Sequence, residues 1–175
     1  MMTEKSTYMQ VNIEHIILSP DHNYVGHFGK PPGENPAIHQ SSVRLLAGRG
    51  IEGDRYAQRE PGHPKQITFF DMDVIDALSS HFGRKIPSRA VWRNVFVCGL
   101  VLLSLIGYEF SLNGIRFLGV QDCKPCFWMD DAIGSGAEEF LAGKGGLRAK
   151  ILDDGELGVG RVIFNGNPPA NGMDW

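Results

Sequence analysis

The sequence predicts a mainly β domain, a closed or partly closed antiparallel-rich barrel with a few short helices. Three observations carry that expectation. Short segments of β-branched and aromatic residues recur between turns drawn from the chain's 22 glycines and 10 prolines. The regular strand–helix alternation of a doubly wound parallel sheet is missing. Strands this short and numerous bury their edges most simply by closing on themselves.

The elements follow in order. Residues 11–19 put Val11, Ile13 and Ile17 on one face and Ile16 and Leu18 on the other, a first strand. Residues 21–40 carry Pro31, Pro32 and Pro36 with Gly26, Gly29 and Gly33, and read as a long loop of the kind that often carries function. A short strand over 43–46 leads into GRGIEGDRYA, whose glycines suit turns. QITFF (66–70) is a strand running into a helix with Met72, Ile75, Leu78 and Phe82 at helical spacing, Asp71 and Asp73 at its positive end and Gly83 after its last turn. Residues 95–97 form a strand, and the apolar run LVLLSLIG is undecided by periodicity. Residues 109–112, Asn113-Gly114 and 115–120 make a hairpin with a type I′ turn. Ser135 with Glu138 forms a capping-box pattern for a second helix over 135–142, closed by Gly143. Residues 147–152 and 158–164 read as a closing pair of strands. The sum is about seven or eight strands and two helices, without internal repeats.

Composition bounds the function. With 175 residues the chain makes one domain, and a net charge of −3 gives no positive field to hold a nucleic acid. The charge-free apolar stretch 95–108 is too short and too broken to span a membrane. The N-terminal MMTEKSTYMQ has no secretory or transit character, so a cytoplasmic location is expected. Three cysteines argue against a disulfide framework.

The sharpest motif is Cys123-Lys124-Pro125-Cys126. A structural zinc site needs two more ligands, and no second such pair or His-x-x-x-His exists. A thioredoxin-like role needs a helix to follow, and residues 127–130 do not open one convincingly. One reactive thiol remains, with Lys124 favouring thiolate by charge and Pro125 constraining the backbone; the alternative is two small core residues. Asp54 and Arg55 in a glycine-rich turn could meet an anion or pair with each other. Arg93 and Asn94 could bind an anionic or amide-like group or tie down a loop. The six histidines are not spaced as a metal cluster.

Taken together, GRGIEGDRYA, KQITFFD, WRNVFVCGL with LLSLIGYEFSLNG, CKPCFWMD and GKGGLRAKILDDGELGVGRV resemble the MOSC domain found at the C-terminal end of molybdenum cofactor sulfurases. The resemblance spans residues 11–164, leaving 1–10 as a flexible N-terminus and 165–175 as a tail. It implies a β-barrel and a functional cysteine, which falls on Cys126. Such a cysteine either ligates the molybdenum of a bound pterin or carries sulfur as a persulfide, and a soft thiolate suits both. The resemblance also implies cofactor contacts at Gly53, Asp54, Arg55, Gln66, Arg93 and Asn94, with Arg55 or Arg93 holding the phosphate. Trp92 stands where a basic residue is common, and Arg161 follows Gly160 where an aspartate is usual.

The leading expectation is therefore molybdenum cofactor binding with reduction of N-hydroxylated compounds, fed by a flavoprotein or iron–sulfur protein. The alternative is a sulfur carrier served by a pyridoxal-phosphate-dependent cysteine desulfurase, with no pyridoxal phosphate in this chain itself. A structural protein with an inert cysteine pair is the third reading.

Overall fold

A computed structural model describes residues 7–26 and 30–166. Among them run eleven strands: β1 (Thr7–Leu18), β2 (Ile38–Gln40), β3 (Ser42–Leu46), β4 (Gly50–Ile51), β5 (Ile67–Asp71), β6 (Val95–Cys98), β7 (Glu109–Leu112), β8 (Ile115–Asp122), β9 (Leu147–Ile151), β10 (Gly155–Gly158) and β11 (Gly160–Gly166). Three α-helices, α1 (Met72–Phe82), α2 (Trp128–Ala132) and α3 (Ala137–Phe140), and three 3-10 turns complete them. None of these helices is long and apolar enough to cross a membrane.

Seven strands close a barrel in the order β11-β7-β8-β9-β5-β6-β1, with β1 pairing back onto β11 from Thr7↔Gly166 to Ile13↔Gly160. Six of its seven pairings are antiparallel, and β5 with β6 is parallel. The parallel pair has a cause in the chain order, because α1 carries the chain from one strand to the next as a crossover. β2 adds to the end of β1, while β10, β3 and β4 form a small separate sheet.

The barrel is filled by alternate residues of its strands. Val11, Ile13, Phe69, Val95, Val97, Phe110, Phe117 and Phe164 point inward and pack in one cluster. Phe69, Phe110 and Phe117 lie within 5.7 Å of one another, centroid to centroid. A second core forms outside the wall, where Phe70 and Phe96 meet Ile75 and Leu78 of α1 and Met129 and Leu141 near α2 and α3. β5 and β6 are thus covered on both faces, which is why QITFF reads as a continuous apolar run. α1 starts on the Asp71 carboxylate, which accepts from the Asp73 N–H, and ends on Gly83 at φ +62°. Asn113 and Gly114 both have positive φ, as the hairpin requires.

Several expectations are corrected. β1 begins at Thr7 and β11 runs to Gly166, so part of each expected end is paired strand; residues 1–6 and 167–175 lie outside the described residues. The strands over 147–152 and 158–164 do not pair with each other: β9 joins β5 and β8, and β11 joins β1 and β7. Ser135 caps nothing, because Gly134 and Gly136 at φ +150° and +92° break the approach, and the Glu138 N–H instead donates to Asp130 Oδ1. A short helix does follow the cysteine pair, because tertiary burial of Trp128 and Met129 outweighs weak local propensity.

Candidate functional site

The C-terminal ends of β1 and β8 and the N-terminal ends of β6 and β9 come to one rim of the barrel. From that rim the segments after β1, after β8 and before β6 converge on a cavity of about 160 Å³. His22 and Tyr24 of the long loop line it, with Tyr56, Trp92, Arg93, Trp128, Met129 and Arg148. Lys124 and Cys126 form its remaining wall, and Cys126 is exposed. A groove of about 410 Å³, lined by Gln121, Asp122, Lys124 and Arg148, shares Lys124 and Arg148 with this cavity.

Asp54 is the buried hub beneath the cavity. Gly53, at φ +83°, turns the chain so that the next carboxylate points inward. Asp54 Oδ2 accepts from the Ser19 N–H at 3.1 Å, Arg55 Nη1 at 3.2 Å and Asn94 Nδ2 at 3.3 Å, and Oδ1 accepts from the Tyr56 N–H. The Arg55 guanidinium is buried with it and also donates Nη2 to the Trp92 carbonyl. It lies 4.5 Å from the Tyr56 ring centroid and 5.4 Å from that of Trp92, so it props both aromatic walls.

Asn94 is wholly buried and spends its amide inside the protein. Its Oδ1 accepts from the Thr68 N–H and hydroxyl, and its Nδ2 donates to the Ile17 carbonyl as well as to Asp54. It therefore ties β1, β5 and the Asp54 turn together. Arg93 donates Nε to the Gly145 carbonyl, Nη1 to that of Val91 and Nη2 to that of Cys123, clamping the cysteine loop to its neighbours. Gln66 donates to the His63 carbonyl and accepts from the Ile151 N–H. Of the residues named from the sequence, Arg93 and Cys126 line the cavity, Asp54, Arg55 and Asn94 support it from below, and Gln66 is a buried brace between strands.

The sequence reading passed over Arg148, Tyr24, His22, Tyr56 and Trp128 as site residues. A signal for Arg148 existed in GKGGLRAK, where alternation sends Leu147, Ala149 and Ile151 inward and Arg148 to the other face. The two glycines of that segment also have a cause: a Cβ on Gly145 would sit 1.8 Å from the Cys123 carbonyl oxygen, and one on Gly146 2.3 Å from that of Phe69.

Trp92 adopts φ +56°, ψ +45°, a left-handed conformation costing about 1–3 kcal/mol in a bulky residue. The strain turns its ring against Tyr24, with centroids 5.5 Å apart, and Tyr24 in turn meets Trp128 at 5.3 Å. Burial, with Asp131 nearby, pushes the Tyr24 phenol up, so it remains an O–H donor at neutral pH. Burial, aided by Arg55 and Arg59, holds His22 below the ordinary histidine value, so it stays uncharged there.

Three buried donors at and beneath the cavity lack an acceptor. Arg55 Nε, Trp92 Nε1 and Arg148 Nε are buried with no hydrogen-bond partner. Among the described residues, Lys65, Lys124 and Arg148 make no side-chain hydrogen bond or ion pair. Burial lowers the pKa of Lys65, and the Arg148 and Arg59 charges add to the effect. No group of three or more His, Cys, Asp or Glu among the described residues is placed to hold a metal, so a metal at Cys126 would bring further ligands of its own. An exposed soft thiol, unpaired cations and flat aromatic walls fit a pterin-borne metal with an anionic tail.

No protein-family model matches the chain, and no curated protein is similar enough to match it. Its fold does match solved structures. The YuaD protein from Bacillus subtilis superposes with a TM-score of 0.72 over 93% of this chain and 99% of its own, at 16% identity. YiiM from Geobacillus stearothermophilus gives 0.63 over 89% and 74%, at 15% identity. YiiM from Escherichia coli gives 0.60 over 87% and 69%, also at 15%. The chain thus has a MOSC-like barrel fold.

Proposed function

We propose that the chain binds molybdenum cofactor through Cys126 and supports reduction of N-hydroxylated compounds with electrons from a separate flavoprotein or iron–sulfur protein. The observation that carries this reading is the surplus of unsatisfied donors and unpaired cations around one exposed thiol. In it, the Cys126 thiolate holds the metal, and Arg148 and Lys124 hold the cofactor's phosphate. Trp92, Tyr24 and Tyr56, which line the cavity, would supply apolar walls for the cofactor and exclude water. In this reading Arg55 and Arg93, whose Nη2 atoms donate to the Trp92 and Cys123 carbonyls, also position Trp92 and the cysteine loop. When bound, the cofactor supplies a two-electron redox centre. The overall reaction takes two electrons and two protons to convert an N–OH into N–H and water.

Metal and pterin analysis of protein made in a cofactor-competent host tests the proposal. Stoichiometric molybdenum is expected in the parent and none in Cys126→Ser, with Arg148→Gln reduced. Absence of molybdenum from the parent would sink the proposal. The exposure of Cys126 favours one second reading, a sulfur carrier, because a desulfurase must reach the thiol directly; its mark is a persulfide on Cys126 in metal-free protein.

A further inference from the structure

Cys123 is a thiol to which the proposed function gives no task. It is 1% exposed and counts among the buried apolar residues, though it joins neither of the two packed clusters. Its backbone is held on both sides: the N–H donates to the Gly146 carbonyl at 2.7 Å, and the carbonyl accepts from Arg93 Nη2. Gly145 packs against that same carbonyl so closely that no side chain fits. Cys126, three residues on, is exposed at the cavity, and only Lys124 and Pro125 lie between. The loop therefore joins a fixed, buried thiol to an accessible one by a two-residue link. The third cysteine, Cys98, stands at the far end of β6 beside Glu14.

We infer that Cys123 is the resolving thiol for Cys126: once a peroxide oxidises Cys126, Cys123 captures it as an intramolecular disulfide that withdraws it from the cavity. The inference rests on Cys126 being the functional thiol. In the first step the Cys126 thiolate attacks one oxygen of hydrogen peroxide. The O–O bond breaks, an S–O bond forms, and the products are a sulfenic acid and hydroxide, with sulfur oxidised by two electrons. In the second, Cys123 Sγ attacks Cys126 Sγ. The S–S bond forms, the S–O bond breaks, and the hydroxyl leaves with the Cys123 proton as water. A disulfide needs the two Cα atoms within about 7 Å. Cys123 is held at its N–H and carbonyl and Cys126 accepts from the Met129 N–H at its carbonyl, so capture requires the Cys126 side chain and the Lys124-Pro125 link to turn toward Cys123. A sulfur held in a disulfide offers no thiolate to a metal, so peroxide switches the site off and a dithiol restores it.

Cys98→Ser protein, reduced and then treated with equimolar hydrogen peroxide in the presence of dimedone, tests this by mass spectrometry. The expected result is loss of two hydrogens from the peptide holding both cysteines, little dimedone adduct, and recovery with dithiothreitol. Adding Cys123→Ala should convert the product to a dimedone adduct on Cys126. Adding Cys126→Ser should leave Cys123 reduced, an arm that also serves if Cys123→Ala fails to fold. Equal dimedone labelling with and without Cys123, or a disulfide formed only between chains, would overturn the inference. Because the readout is mass rather than metal content, its failure would leave the metal analysis of Cys126→Ser standing.

Discussion

Replacing Asp54 with Asn tests the hub beneath the cavity. Four donors converge on the carboxylate, from Ser19, Tyr56, Arg55 and Asn94, and the side chain is fully buried. An amide keeps one acceptor oxygen and turns an N–H₂ toward groups that are themselves donors. If the amide nitrogen takes the Oδ1 position the Tyr56 N–H loses its acceptor, and if it takes the Oδ2 position the other three donors do, at about 1–3 kcal/mol each. The Arg55 guanidinium, 5% exposed, also loses its counter-charge, and breaking a buried pair from one side costs about 3–5 kcal/mol in all. For a chain of this size that lowers Tm by roughly 8–15 °C. Urea unfolding of Asp54→Asn, Arg55→Met and the double variant is the assay. The double variant should recover part of the single losses, because it removes the stranded charge. An Asp54→Asn protein within about 1 kcal/mol of the parent would refute the account of this carboxylate as the anchor of the site.

Further outcomes follow from other features. Gly145→Ala places a methyl group against the Cys123 carbonyl, so the cysteine loop must shift; the rate of Cys126 alkylation should change while the circular dichroism of the barrel does not. Asp71→Ala removes the α1 cap and should cost about 1 kcal/mol in urea unfolding. His15 and His22 both have their pKa lowered in the folded chain, mainly by burial. As pH falls through about 6.5 the unfolded chain takes up these protons first. Tm should therefore decline with pH from 7 toward 5.5, and a His15→Gln, His22→Gln variant should show a flatter profile.

The barrel was legible because its signals are local: alternation in residues 11–18, the Asn113-Gly114 turn, and the capped α1. Strand pairing was less so. Nothing local says that β9 bonds to β5 and β8 rather than to β11, since many partners satisfy the same alternation. At the site, motifs led to Cys126 and to the residues that support its cavity. They did not separate a guanidinium facing a ligand from one facing main-chain carbonyls, as Arg93 does, because that depends on where distant carbonyls fall. His22 and Tyr24 escaped notice for the converse reason. Their positions come from a loop without periodicity, fixed by Asn23 bonding across to Asn35.

The pairing of β1 with β11 also dictates how the molecule must come into being. Thr7 finds its partner only at Gly166, so the wall stays open along that seam until nearly the whole described chain has been synthesised. Local hairpins such as β7–β8 can form in about 1–10 μs, but contacts this distant in sequence put barrels of this kind in the millisecond-to-second range. Until then a nascent chain presents the bare edge of its first strand to its neighbours. Aggregation during synthesis should therefore be governed by β1 and its wait for β11.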